Sequence, residues 1–112
     1  MNICVIGCGR WGSLITWYLD RIGHHVTLYG RSSSKRMQAF LATRKNDLLA
    51  LPLSVTLTTE LSAVNEAETV IISIGSQGLQ ALMEELSVYQ LKNKTFVLCM
   101  NCLLYTSDAA DD

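Results

Sequence analysis

Residues 4–19 read CVIGCGRWGSLITWYL, which sets Gly7, Gly9 and Gly12 between an apolar run and a segment with helical periodicity. Glycine weakens ordered structure through its conformational entropy unless the backbone needs unusual dihedrals or another group must approach closely. Three glycines at one junction predict such an approach. On one side, Asn2–Ile6 has the length and apolarity of a strand buried on both faces. On the other, Trp11, Leu14, Ile15, Tyr18, Leu19 and Ile22 recur with the spacing of an amphipathic helix whose apolar stripe faces a core. Gly23 stands where a left-handed residue ends a helix.

The segment Gly7-Cys8-Gly9-Arg10-Trp11-Gly12 is therefore G-x-G-x-x-G between a strand and a helix, the context in which this short motif signals a dinucleotide site. Gly7 serves the tight turn, Gly9 admits a pyrophosphate to the backbone, and Gly12 lets the helix pack closely on the strand. The free N–H groups and partial positive charge of the helix N-terminus complement the phosphates. The alternative is a glycine-rich turn without a ligand.

Further along, HHVTLYG reads as a second strand, followed by a loop and a helix with Met37, Phe40 and Leu41 inward. SVTLT makes a third strand. Thr59 is the expected N-cap of a short helix through Leu61, Val64 and Ala67. TVIISI is the fourth strand, a helix from about Gln77 to Tyr89 places Leu79, Leu82, Met83 and Leu86 on one face, and TFVLCM is the fifth strand. Five strands alternating with helical segments, joined by links too long for hairpins, predict an α/β fold. Right-handed crossovers make it a doubly wound parallel sheet of the Rossmann type, with helices on both faces.

At 112 residues the chain is one domain, and its net charge of −1 provides no overall field for nucleic acid or anionic lipid. The expected partner is a small molecule, with no nucleic acid and no membrane insertion. No apolar run approaches the roughly 20 residues that span a bilayer, and the start, MNICVIG, lacks the form of a signal peptide. A cytoplasmic protein is expected. Cys99 and Cys102 have C-x-x-C spacing without a second pair, so free thiols rather than a metal site are expected. His24 and His25 follow a helix-ending glycine and read as a surface turn and strand start, with no catalytic assignment.

Cofactor choice in such a domain is decided at the end of the second strand, where a carboxylate holds the ribose 2′-OH of NAD. Here the sequence is Tyr29-Gly30-Arg31-Ser32-Ser33-Ser34, without a carboxylate. Arg31, with Ser32 and its neighbours, suits a 2′-phosphate, which favours NADP over NAD while leaving both open. The alternative is a solvated basic start to the second helix. The turn Gly75-Ser76-Gln77 lies past the fourth strand, on the sheet edge where ligands bind, with Ser76 the expected helix cap and a cofactor contact.

These residues resemble a known family. VIGCGRWGSLITWYLDRIGHHVTLYGR, then Arg44-x-Asn46, Leu51-Pro52, a Thr-rich turn before Glu60-Leu61, and TVIISIGSQGL are similar to the N-terminal cofactor domain of bacterial-type NAD(P)-dependent glycerol-3-phosphate dehydrogenase. The resemblance covers about residues 2–100; ketopantoate reductase and the 6-phosphogluconate dehydrogenase group fit less of it. It implies hydride transfer between nicotinamide and sn-glycerol 3-phosphate or dihydroxyacetone phosphate. By matching positions, Gly7, Gly9, Arg10, Trp11, Gly12 and Arg31 bind the cofactor. It also implies a small phosphorylated substrate and a homodimer for the parent enzyme, in the service of phospholipid biosynthesis.

The family carries a substrate-contacting lysine after the fifth strand, where this chain has Met100-Asn101-Cys102. A neutral asparagine cannot supply that ammonium, and the family's remaining catalytic residues lie on a C-terminal helical domain. Residues 1–100 are thus expected to be a dinucleotide-binding domain without catalytic residues. Residues 101–112, NCLLYTSDAADD, resemble translated adapter sequence and are expected to be a non-native tail that adds nothing to the fold. The competing expectation is a stand-alone nucleotide-sensing module.

Overall fold

The computed structural model describes residues 1–99. The division at residue 100, the tail 101–112, Asn101 and Cys102 lie outside the described residues.

Among those residues five strands form one sheet: β1 (Asn2–Ile6), β2 (His25–Tyr29), β3 (Thr56–Thr58), β4 (Thr69–Ile72) and β5 (Thr95–Leu98). All pair in parallel in the order β3-β2-β1-β4-β5. Because β2 and β4 flank β1 on opposite sides, the chain reverses its winding at β1, and a crevice opens beyond the carboxyl ends there. The crossovers carry α1 (Arg10–Arg21), α2 (Lys35–Thr43) and α3 (Leu79–Leu86), with 3₁₀ segments at Leu61–Glu66 and Ser76–Gly78.

Side chains alternate across a strand, so each central strand feeds two cores. Ile3, Val5, Val26, Leu28 and Ile71 pack with Met37 and Phe40 of α2, and with Ile15, Trp17 and Leu19 of α1. Cys4, Ile6, Tyr29, Val70 and Ile72 pack with Val64, Leu82 and Leu86 on the opposite face. The doubly wound arrangement is as expected.

The packing face of α1 is only partly the expected one: Ile15 and Leu19 pack on the core as expected, but the rest of the stripe does not. Gly12, Ser13 and Thr16 are its buried residues, while Trp11, Leu14, Tyr18 and Ile22 are exposed, Trp11 by 62% and Tyr18 by 54%. Where α1 lies closest to the sheet only small side chains are fully buried, and their polarity is satisfied locally. Thr16 Oγ1 donates to the Gly12 carbonyl at 2.8 Å and Ser13 Oγ to that of Arg10 at 3.0 Å. The helix ends as expected: Gly23 has φ +107°, its N–H bonds the Asp20 carbonyl, and the His24 N–H bonds that of Leu19, the paired pattern of a left-handed helix stop.

Other departures are local. On α2 Met37 and Phe40 are buried but Leu41 is exposed, because Arg44, not Leu41, continues inward. The strand expected at 54–58 starts at Thr56, since Val55 is turned back to bond the Pro52 carbonyl. Thr59 does not cap the next segment; Glu60 holds that position without a side-chain bond, and the segment is 3₁₀ rather than α. Ser76 lies inside a 3₁₀ turn capped by Gly75, and α3 starts only at Leu79. Met83 is exposed while Leu82 and Leu86 are buried. The fourth strand stops at Ile72 and the fifth at Leu98, and every residue of β5 is exposed.

Arg44 and Asn46 organise the long connection from α2 to β3. Arg44 adopts the left-handed conformation at φ 60°. Its guanidinium donates to the carbonyls of Leu51 at 3.3 Å and Pro52 at 2.8 Å, and to that of Val55. Asn46 Oδ1 accepts from the N–H groups of Leu48 and Leu49, and its amide donates to Ser13 Oγ at 3.1 Å. A connection of this length is thereby fastened to α1 and to the strand it feeds.

Cys4, Cys8 and Cys99 form no disulfide among the described residues. No group of three metal-ligating side chains is found, and no helix is long and apolar enough to cross a membrane, among the described residues. Burial pushes the Cys4 thiol up from 9.0 to about 12, with nearby Lys94 pulling weakly the other way.

Two outcomes are expected. Arg44→Ala removes three carbonyl partners of one cation, each charged hydrogen bond being worth about 1.5–3 kcal/mol, and lowers the thermal midpoint by at least ~5 °C; Arg44→Lys, lacking the fork, restores only part of it. Cys4 favours the folded state only while neutral in both states. Its contribution is intact below pH 9 and declines between pH 9 and about 12, so Cys4→Ala shows a shallower alkaline loss of stability in urea titrations.

Candidate functional site

The glycine turn is a backbone contact that side chains would destroy. Gly7 has φ +116°, and a Cβ there would lie 2.0 Å from the Ser73 carbonyl oxygen; one on Gly12 would lie 1.9 Å from the Gly7 carbonyl oxygen. The Gly7 N–H donates to the Tyr29 carbonyl at 2.9 Å, and the Ser73 N–H to that of Ile6 at 2.8 Å. The turn is thus wedged between the ends of β2 and β4. Gly7 and Gly12 have the roles expected of them.

Gly9 is buried and occupies the N-cap of α1 with extended backbone, φ −71° and ψ −165°, and no side chain caps the helix. Its first turn carries no acidic residue. The leading N–H groups of a helix have no partner within it, and their dipoles sum to partial positive charge. An uncapped helix start behind a turn whose one non-glycine residue, Cys8, is buried suits a phosphate.

Beside this turn lies a cleft of about 310 Å³. Ile6 and Gly7 form its floor, with Tyr29, Gly30, Arg31, Ser33 and Ser34 along the β2 side, and Ile74, Gly75, Gln77, Gly78 and Leu82 along the side following β4. Its mix of apolar walls and few polar groups is that of a small-ligand site. Burial raises the Tyr29 phenol, and Arg31 partly offsets this. Across the mouth, Arg31 Nη1 meets Glu85 Oε2 of α3 at 3.2 Å.

Of the residues expected at the site, Gly7, Arg31, Gly75 and Gln77 come together in this cleft, whereas Gly9, Arg10, Trp11, Gly12, Ser32 and Ser76 do not line it. Gly9 and Gly12 act through the turn itself. Arg10 is exposed and pairs with Asp47 at 3.0 Å, beside a smaller depression of about 200 Å³ that Gly9 also lines. Trp11 is exposed on the first turn of α1. The Ser32 carbonyl accepts from Gln38 Nε2, and the hydroxyl residues on the cleft are instead Ser33 and Ser34.

Ser34 is the N-cap of α2, its Oγ accepting from the Met37 N–H at 3.1 Å. A serine before a helix signals that role, yet the run of three serines hid which one filled it. Gly30 is the other residue not anticipated. A Cβ there would meet Cys8 Sγ and Met37 Cβ at 2.8 Å, so its bare backbone lets the end of β2 close on the glycine turn.

A parallel sheet of this strand order, with a glycine turn and helix N-terminus at its switch point, defines the Rossmann-type class of dinucleotide-binding domains. Within that class the chain belongs to the family described as NAD-dependent glycerol-3-phosphate dehydrogenase N-terminus, whose model matches residues 2–107.

Relatives include glycerol-3-phosphate dehydrogenase [NAD(P)+] of Thermoanaerobacter sp. (strain X514), 31% identical over 102 residues, covering 88% of this chain and 30% of that protein. The enzyme of the same name from Nitrosomonas eutropha is 32% identical over 107 residues, covering 91% and 31%. The chain thus spans about 30% of the length of the relatives it matches. In fold it is similar to the crystal structure of glycerol-3-phosphate dehydrogenase from Coxiella burnetii, with TM-score 0.78, 18% identity, and 88% and 32% of the two chains covered. A ketopantoate reductase from Ralstonia eutropha gives TM-score 0.73 at 24% identity, covering 90% and 34%.

Gly12→Ala sets a methyl against backbone that cannot yield and is expected to lower stability by about 3 kcal/mol. Gly23→Ala, with nothing within 4 Å, bears only the left-handed strain of about 1–2 kcal/mol. Chemical denaturation of the two variants reads the difference directly.

Proposed function

We propose that the chain binds NAD(P)(H), with NADP(H) preferred, as the cofactor domain of a glycerol-3-phosphate dehydrogenase. The single observation that carries this is the Gly7–Gly12 cradle at the uncapped start of α1, with Arg31 in the adjoining cleft. In this reading the first-turn N–H groups of α1, including those of Arg10, Trp11 and Gly12, hold the pyrophosphate, with Gly9 giving the backbone access. Arg31 and the serine hydroxyls following it receive the adenosine-ribose end, and the turn Gly75-Ser76-Gln77 closes the opposite wall. The nicotinamide supplies hydride chemistry when the cofactor is bound.

For the parent enzyme the reading assigns hydride transfer between nicotinamide and sn-glycerol 3-phosphate or dihydroxyacetone phosphate, in a cytoplasmic homodimer. Family membership supports this over a ketopantoate reductase, whose similarity here is one of fold. The 112-residue chain, with none of its own residues assigned to substrate chemistry, binds cofactor without oxidising glycerol 3-phosphate.

The test is titration of the purified chain with NADPH and NADH, followed by quenching of its tryptophan fluorescence. Arg31→Asp removes a charged fork and opposes the 2′-phosphate with a carboxylate. It is expected to weaken NADPH by about ten- to a hundredfold and NADH far less. Equal loss for both cofactors would move the discrimination away from Arg31, and turnover of glycerol 3-phosphate by the chain alone would overturn the inactive-domain reading.

A further inference from the structure

Arg31 already has an anion. Its guanidinium meets Glu85 at 3.2 Å, the two side chains are each 44% exposed, and the residues are 54 positions apart in the chain. Arg31 lines the cleft from the β2 side and Glu85 belongs to α3, whose Leu82 lines the cleft from the other. The pair therefore bridges the two walls. Tyr29, on the β2 side of the same cleft, lies within the electrostatic reach of both partners.

A guanidinium has donors for more than one oxygen, but a carboxylate beside it competes with any phosphate for them and repels that phosphate directly. A ligand carrying a hydroxyl in place of the phosphate meets neither opposition. The two nicotinamide dinucleotides differ by that one group.

We propose that Glu85 is a positioning residue that sets cofactor selectivity: by holding Arg31 across the cleft it reduces the advantage of NADP(H) and leaves NAD(H) unaffected. This rests on the cofactor reading above and adds to it. Arg31 is the reader of the 2′-phosphate, and Glu85 tunes how strongly it reads. The chain consequently discriminates between the cofactors less sharply than an unopposed arginine would. Half-exposed ion pairs are weak, so the tuning amounts to about two- to fivefold, and it fades as salt screens both partners.

The experiment measures the dissociation constants of NADPH and NADH for the full 112-residue chain, Glu85→Gln, Arg31→Gln and the double variant, at low and high salt. Glu85→Gln is expected to tighten NADPH by about two- to fivefold at low salt and to leave NADH where it was; in the Arg31→Gln background the same substitution moves neither. This cycle separates action through Arg31 from any general effect on folding, which would shift both cofactors together.

The inference is overturned if Glu85→Gln leaves NADPH unchanged, shifts both cofactors alike, or tightens NADPH equally without Arg31. In those cases the cofactor reading still stands, provided the unaltered chain binds both dinucleotides and Arg31→Gln weakens NADPH selectively. Failure of the unaltered chain to bind either one removes that reading and the inference with it.

Discussion

The structure depends on one backbone contact: the Gly7 carbonyl oxygen lies where a Gly12 side chain would otherwise be, while Gly7 itself abuts the Ser73 carbonyl. This contact fixes the height at which α1 leaves the sheet. The rest of α1 then lies so near β1 and β2 that its fully buried residues are Gly12, Ser13 and Thr16. The same approach brings the end of β2 in over the turn, where Gly30 clears Cys8 and Met37. Cleft, helix pole and strand order meet at one point because steric exclusion at two glycines leaves the chain no other course.

Much of this was legible in the sequence, for reasons that differ by element. The strands were plain because β1, β2 and β4 are buried on both faces and cannot hide their apolarity. The glycine turn was plain because glycine at such a junction needs a reason. The inward face of α1 was half read: Ile15 and Leu19 pack on the core as their periodicity predicts, but the line of closest contact is held by Gly12, Ser13 and Thr16, where proximity overrules hydrophobicity. Trp11, Leu14, Tyr18 and Ile22 keep a perfect helical stripe that the sheet does not use. Thr59 and Ser76 misled for another reason. Their hydroxyls satisfy the composition of a cap, but whether a turn becomes 3₁₀ or α is settled by tertiary fit.

Of the residues expected at the site, Gly7, Arg31, Gly75 and Gln77 line the candidate cleft; the serines were less legible. Which serine faces the cleft depends on the rotation of the β2–α2 loop, and that rotation is set by Ser34 capping α2. Glu85 carried no signal at all, being one acid in the run Glu84-Glu85, and only the folded chain brings it to Arg31. Arg44 and Asn46 were noticed as marks of kinship. Their bonds to carbonyls and to Ser13 make them fasteners of the α2–β3 connection instead.

The position of β1 in the middle of the sheet also governs the order in which the fold can be assembled. β1 is made before either neighbour, and its pairing with β4 spans about 66 residues of chain. At about 5–20 residues per second, a ribosome takes roughly 3–13 s to deliver that partner. Until then β1 can pair only with β2, and its other edge stays open along Ile3–Ile6, all of which are buried in the finished fold. Parallel pairing of this kind is non-local and slow to nucleate. The nascent chain therefore passes through an interval in which a strand buried in the finished fold presents an open edge to other chains.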